Sequence, residues 1–180
     1  MGVELKIVNE DDDEVPAGTV GELCARGDNV MLGYWQQPEL TAHALRNGWL
    51  HTGDGARMDD EGFVYIVDRV KDMIISGGEN VYSAEVEDVI YQHSAVAECA
   101  VIGIPHDKWG EQVHAIIRLH DGQSADEAAI IEHCQTFIAG FKCPKSVDFH
   151  NEPLPLSGAG KILKTELRKP YWEGENKAVH

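Results

Sequence analysis

One stretch, DRVKDMIISGGENVYSAEVE from Asp68 to Glu87, constrains this chain more than any other. It opens on a charged cluster of Asp68, Arg69, Lys71 and Asp72, continues through the apolar run Met73 to Ile75, and reaches Gly77, Gly78 and Glu79. Adjacent glycines adopt positive φ without steric cost and let backbone approach something narrow. An ordinary β-turn explains the same pair equally well when it is taken alone. The stretch reads as a charged joint, a short strand, a glycine turn and a helix that Ser83 can cap.

The chain differs in style on the two sides of that joint. Before it, residues 3–8 and Val20 to Arg26 read as strands around an acidic loop, EDDDEVPAG, which reads as a solvated turn. A helix is expected from Pro38 to Leu45, with proline in its first turn. Two more strands, Gly48 to Thr52 and Gly62 to Val67, flank the turn MDDEG. Such a β-rich unit has little helix to cover it and is not expected to bury a full core alone. Its sheet edges are open to a partner, including a second copy in a homodimer.

After the joint, a helix to about His93 carries Val86, Val89 and Ile90 on one face. Strands follow at Val96 to Ile104, stopped by Pro105, and at Val113 to Leu119, with Val113, Ala115, Ile117 and Leu119 on one side. Ser124 and Glu127 form a capping box for a helix to about Gly140, striped by Ile130, Ile131, Cys134, Phe137 and Ile138. Ser146 to Phe149 is a short strand, and a last helix from Ile162 to Arg168 ends before Pro170. The order argues for an α+β fold: a β-rich unit over residues 1–68 and a compact α+β domain over 69–180.

Composition narrows the partners. A net charge of −16 opposes nonspecific nucleic-acid binding, so an anionic ligand needs a few well-placed cations and backbone amides. No apolar run is long enough to span a membrane. Cys24, Cys99, Cys134 and Cys143 lack Cys-x-x-Cys spacing, and no histidine stands at ligand spacing beside them. The expectation is a reduced, cytoplasmic protein without structural zinc.

Three places could carry chemistry. His51-Thr52-Gly53-Asp54 reads as a strand ending in a glycine turn, whose carboxylate could accept both hydroxyls of a vicinal diol or simply cap the turn. Arg69 could bind a sugar or phosphate, or pair with Asp68 or Asp72. Lys161 follows Gly158 and Gly160 in a proline-flanked loop, either idle in solvent or a mobile charge for a phosphate. The spacing is not that of a P-loop.

In this order the motifs resemble the adenylate-forming (AMP-binding) enzymes: acyl-CoA synthetases, aryl-CoA ligases, luciferases and peptide-synthetase adenylation domains. GELCARGDNVMLGYW, GWLHTGD, the stretch from Asp68 to Glu87, and PLSGAGKILKTELR are each similar to a family motif, and together the resemblance covers nearly the whole chain. It implies that Asp54 binds the ribose hydroxyls of ATP and AMP, Arg69 contacts the same ribose, Lys71 is a hinge, and Lys161 is the catalytic lysine of adenylation. SGGEN and the KWGE at 108–111 are most similar to the acyl- and aryl-CoA ligases. For that branch, Gly77, Gly78 and Glu79 line the path of the CoA thiol, and Trp109 flanks it. FKCPK has Cys143 where the family is sometimes basic.

The implied activity joins a carboxylic acid to CoA, with ATP and Mg2+. GWLHTGD and IVDRVKD are also similar to the luciferase branch. Neither the family's Ser/Thr/Gly-rich phosphate loop nor its acyl pocket occurs in these residues. The chain is therefore expected to be part of a longer protein or a shortened relative, and inactive alone. The alternative is a non-catalytic interaction module.

Overall fold

The computed structural model describes residues 2–173. The chain divides into two compact units, Met1–Lys71 and Asp72–His180. The outermost ends of the expected ranges 1–68 and 69–180 lie outside the described residues.

The first unit is one antiparallel sheet. Strands β1 (Glu4–Val8), β2 (Gly21–Arg26), β3 (Leu50–Met58) and β4 (Val64–Arg69) pair in that order, with helix α1 (Pro38–Ala44) between β2 and β3. The acidic loop is ordered by Asn9, whose Oδ1 accepts from the backbone of Asp11 at 3.0 Å and Asp13 at 2.9 Å. The unit's buried hydrophobic residues are few: Ile7, Val8, Cys24, Ala44 and Ala56, with His51 buried as well. One expectation is corrected here. The HTGD segment does not end a strand, because β3 runs on to Met58 and absorbs the glycine as a bulge.

The second unit carries the larger core. Strands β5 (Ile74–Ser76), β6 (Glu79–Val81), β7 (Val96–His106), β8 (Gly110–Leu119) and β9 (Ser146–Phe149) form one sheet. β7 pairs with β8 over its whole length, and β8 also meets β5 at Gly110 and β9, in parallel, from His114 to Ile117. Strand alternation sends Cys99, Val101, Val113, Ala115 and Ile117 to one face. There they pack with helices α2 (Ser83–Ile90) and α3 (Glu127–Phe137) through Val86, Val89, Ile90, Ile130 and Cys134. Ala100, Ile102 and Ile116 take the other face, under Leu167 of helix α4 (Lys164–Trp172). Both faces are covered, which the first unit's sheet does not achieve within itself.

Several local expectations change. Tyr82 occupies the cap position of α2, and Ser83 is instead its buried first residue. Helix α3 is capped by Asp126, whose carboxylate accepts from Ala129 N at 2.8 Å, because Ser124 stands too far from the first helical turn. Phe137 is exposed, since the helix ends there and Ile138 is already extended. Pro105 lies within β7, at an edge strand that tolerates a missing donor. Pro170 lies inside α4, where its lost hydrogen bond falls near the end and Trp172 Nε1 donates to Gly103 O at 3.1 Å. Cys143, which stands where the family is sometimes basic, is a core residue.

Candidate functional site

In the first unit, Asp54 and Arg69 are direct partners across the β3–β4 ladder. Arg69 Nε lies 2.8 Å from Asp54 Oδ1, with both side chains partly open to solvent. Asp68 and Asp72, the expected surface partners of Arg69, are replaced in this role by Asp54. Asp68 Oδ1 accepts the Arg69 backbone N–H, at 2.7 Å. A carboxylate held on one oxygen by a guanidinium, beside a cation with further donors, can receive a diol.

Residues around Asp54 form a network that the sequence reading passed over. Gly53 has φ +73°, and its N–H donates to Glu22 Oε1 at 3.0 Å. The other oxygen, Glu22 Oε2, lies 2.9 Å from His51 Nδ1 and 3.2 Å from Arg46. Arg46 also reaches Asp12, whose carboxyl it holds below the usual range. Cys24 Sγ is 3.3 Å from His51 Nδ1, and burial pushes its thiol up to about 11. Glu22, Cys24 and His51 are the group among the described residues that could hold a metal ion, their ligand atoms lying within 4.8 Å of one another. The hydrogen bonds and the Arg46 guanidinium already satisfy that carboxylate.

In the second unit, Gly77 and Gly78 form the turn between β5 and β6, at φ +64° and +88°. Side chains rarely adopt these angles, so glycine is required by the turn itself. Gly77 N donates to Trp109 O at 2.9 Å, and a methyl group on Gly77 would sit 3.5 Å from the indole. Trp109 stacks on His106, ring centroids 4.4 Å apart, and His106 Nδ1 accepts the backbone N–H of Lys108 and Trp109. Glu111 of the KWGE motif accepts from Ile75 N at 3.0 Å, tying the same turn to β8. Glu79 opens β6 and is exposed.

Lys161 sits on a tight loop of the same unit. Leu156 bridges Ile162, Ser157 N donates to Lys161 O at 2.7 Å, and Lys161 N donates to Ser157 Oγ at 3.1 Å. Its ammonium is exposed and makes no hydrogen bond or ion pair among the described residues. Lys164, three residues on, differs: its Nζ lies 2.7 Å from Ser83 Oγ and 2.7 Å from Glu87 Oε1. Glu87 Oε1 also accepts from Val101 N at 2.7 Å, so the loop is anchored to α2 and β7 just downstream of Lys161. Lys71 ends the first unit, within a 3-10 turn over Val70–Asp72.

The structure thus joins Asp54 to Arg69 and Gly77 to Trp109, and fixes the backbone around Lys161. Glu22, His106 and Lys164 were not singled out from the sequence, where each looks like an ordinary polar residue in a strand, turn or helix start.

Two family models match the chain: the AMP-binding enzyme family over residues 1–35 and the AMP-binding enzyme C-terminal domain over residues 85–161, ending on Lys161. Over both stretches the chain is similar to the AMP-binding enzyme family. It is 51% identical, over 165 residues and 92% of its length, to a long-chain-fatty-acid–CoA ligase of Escherichia coli O6:H1. A feruloyl-CoA synthase of Amycolatopsis is 46% identical over 168 residues, 93% of this chain and 34% of that one. Among solved structures, the ATP-bound MatB of Rhodopseudomonas palustris superposes with a TM-score of 0.86 at 37% identity, covering 98% of this chain and 35% of that one. The o-succinylbenzoate CoA synthetase of Bacillus subtilis, solved with its acyl-adenylate intermediate, gives 0.83 at 36% identity, over 99% of this chain and 35% of that one. The chain spans about 29% of the length of the E. coli ligase. The chain has an α+β fold, and no helix of its described residues is long and apolar enough to cross a membrane.

Proposed function

We propose that this chain supplies the lysine-bearing part of an ATP-dependent acyl-CoA ligase. The reaction has two halves. A carboxylate oxygen attacks the α-phosphorus of ATP, forming acyl-AMP and releasing pyrophosphate; the CoA thiolate then attacks the acyl carbon and AMP leaves. The observation that carries the reading is Lys161: an exposed ammonium without a partner among the described residues, on a loop whose backbone is hydrogen-bonded on both sides. An unpaired cation on a fixed loop can stabilise negative charge developing on carboxylate and phosphate.

The other residues take roles around it. Asp54 accepts the ribose hydroxyls, and Arg69 both orients Asp54 and donates to the sugar. Gly77, Gly78 and Glu79 line the thiol's approach, with Trp109 as its flanking wall. Lys71 is the hinge at which the second unit turns between the two half-reactions. ATP brings Mg2+ as its phosphate chelate, and no residue of this chain is assigned to the metal. Four buried free cysteines support a reducing, cytoplasmic setting. The substrate acid is a fatty or aryl carboxylic acid.

A chimera tests this reading. This chain should replace the 165 residues it matches in the E. coli ligase with acyl-CoA formation retained. A folded chimera that binds ATP yet forms no acyl-AMP would overturn it.

A second reading concerns the chain by itself, as a module that pairs with another copy. Its support is the edge strand β4, on which Tyr65 and Ile66 are exposed, with Phe63 exposed just before it. Sedimentation and ATP calorimetry on the 180-residue chain test it: a dimer without ATP heat favours the module, and a monomer that binds ATP overturns it.

A further inference from the structure

The carboxylate of Asp54 stands on an irregular piece of β3, and that irregularity has a builder. In the β2–β3 ladder, Glu22 pairs with Gly55 and Cys24 pairs with His51. Thr52, Gly53 and Asp54 therefore all face the single residue Leu23, and their backbone groups lose regular ladder partners. A backbone donor inside a sheet without an acceptor is costly, so side chains must replace the missing carbonyls.

Two side chains do so. Thr52 Oγ1 donates to Leu23 O at 2.8 Å and accepts from Asp54 N at 3.1 Å. Glu22 Oε1 accepts from Gly53 N at 3.0 Å. The Glu22 carboxylate is itself immobilised: its second oxygen meets His51 Nδ1 at 2.9 Å and Arg46 at 3.2 Å, and its side chain is only 19% exposed. His51 is buried and directly precedes the bulge, so the clamp holds its entrance and its middle at once. Asp54, the next residue, then meets Arg69 across the other ladder.

We propose that Glu22 is a positioning residue for Asp54: its carboxylate fixes the Gly53 bulge and thereby the place of the ribose-binding carboxylate. The proposal rests on the reading of Asp54 as that carboxylate. What Glu22 contributes is an acceptor oxygen at Gly53, with its charge matched to Arg46. Glutamine keeps an acceptor of the same reach, and alanine supplies none.

Residue-resolved amide exchange on the 180-residue chain tests this, with the Arg69 Nε resonance as the reporter of Asp54. Glu22→Ala should speed exchange at Gly53 at least ~10-fold and shift the Arg69 Nε signal, with Leu5, Lys6 and Ile66 amides within ~3-fold of the wild type. Glu22→Gln should keep Gly53 within ~3-fold of wild type and leave the Arg69 signal in place. Uniform acceleration over β1 to β4 in Glu22→Ala would mean a merely structural role and overturn the proposal. So would an unchanged Gly53. If Glu22→Ala does not fold, Glu22→Gln decides: loss of Gly53 protection there assigns the effect to charge alone and overturns positioning by the acceptor oxygen. The ribose reading is checked separately in the chimera. There Asp54→Ala and Glu22→Ala should each raise the ATP KM at least ~10-fold, with Glu22→Gln restoring it. An ATP KM unmoved by Asp54→Ala would remove the ribose reading while leaving the exchange result to stand.

Discussion

Asp54 and Arg69 face each other across the β3–β4 ladder, with Arg69 Nε 2.8 Å from Asp54 Oδ1. One carboxylate and one guanidinium are thereby brought together from positions fifteen residues apart in the chain. Both are half-open to solvent, so the pair contributes about 0–1 kcal/mol to folding. Its value lies in the orientation of two groups toward a ligand.

That separation of roles gives the first prediction. Asp54→Asn should change the urea unfolding free energy by less than about 1 kcal/mol. In the chimera it should weaken ATP binding at least ~10-fold, since charge-assisted hydrogen bonds contribute about 1.5–3 kcal/mol. Stability loss of several kcal/mol with an unchanged ATP KM would contradict the assignment.

The Lys164–Glu87 pair should behave in the opposite way. Its side chains are 14% and 17% exposed, and Glu87 also accepts from Val101 N. Lys164→Met removes the cation from a largely buried carboxylate and should cost about 3 kcal/mol in urea unfolding of the second unit. A loss below about 1 kcal/mol would mean that the pair does not anchor α4.

His114 makes stability depend on pH. It is buried, with Nδ1 at 2.7 Å from Ser146 Oγ and Nε2 at 3.0 Å from Tyr171 OH; Asp148 lies 3.6 Å from Nε2. Burial lowers its pKa below the ordinary 6.5, outweighing the Asp148 carboxylate, which raises it. The unfolded chain therefore takes up a proton that the folded chain refuses. The contribution of His114 is full above pH 6.5 and is lost as pH falls from there toward the depressed folded value. Between pH 7.5 and 5, wild type should lose more urea stability than His114→Gln; parallel losses would contradict this.

The four cysteines should be inert in the native protein. All are buried, and burial pushes Cys24 and Cys134 up to about 11 and Cys99 higher still. Iodoacetamide at pH 7.5 should label them at least ~100-fold more slowly than free cysteine, followed by mass spectrometry, and fully in urea. Rapid native labelling of Cys24 would show that the β2–β3 network opens.

Periodicity carried much of this architecture. Val86, Val89 and Ile90 on α2, and Val113, Ala115 and Ile117 on β8, lie in the core as their spacing requires. What periodicity could not reveal was set by partners distant in sequence. The three-residue β6 has no pattern of its own and exists because Ser76 pairs with Glu79 across the glycine turn. The continuation of β3 past Gly53 depends on Glu22, thirty-one residues away. Ser83 looked like a cap because its type and place fit one, but a lysine eighty-one residues later claims its hydroxyl. For the candidate site, Asp54, Arg69, Gly77, Trp109 and Lys161 were visible as motif residues. Glu22, His106 and Lys164 act through other residues and leave no motif.

Lys161 presents an exposed ammonium that has no partner among the described residues. The direct measurement separates the two half-reactions in the chimera: pyrophosphate release from ATP and acid, and thioester formation from synthetic acyl-AMP and CoA. Lys161→Ala should slow the first at least ~100-fold, as loss of a transition-state cation does, and leave the second within ~3-fold of wild type. Equal loss of both steps, or an unaffected first step, would contradict the account.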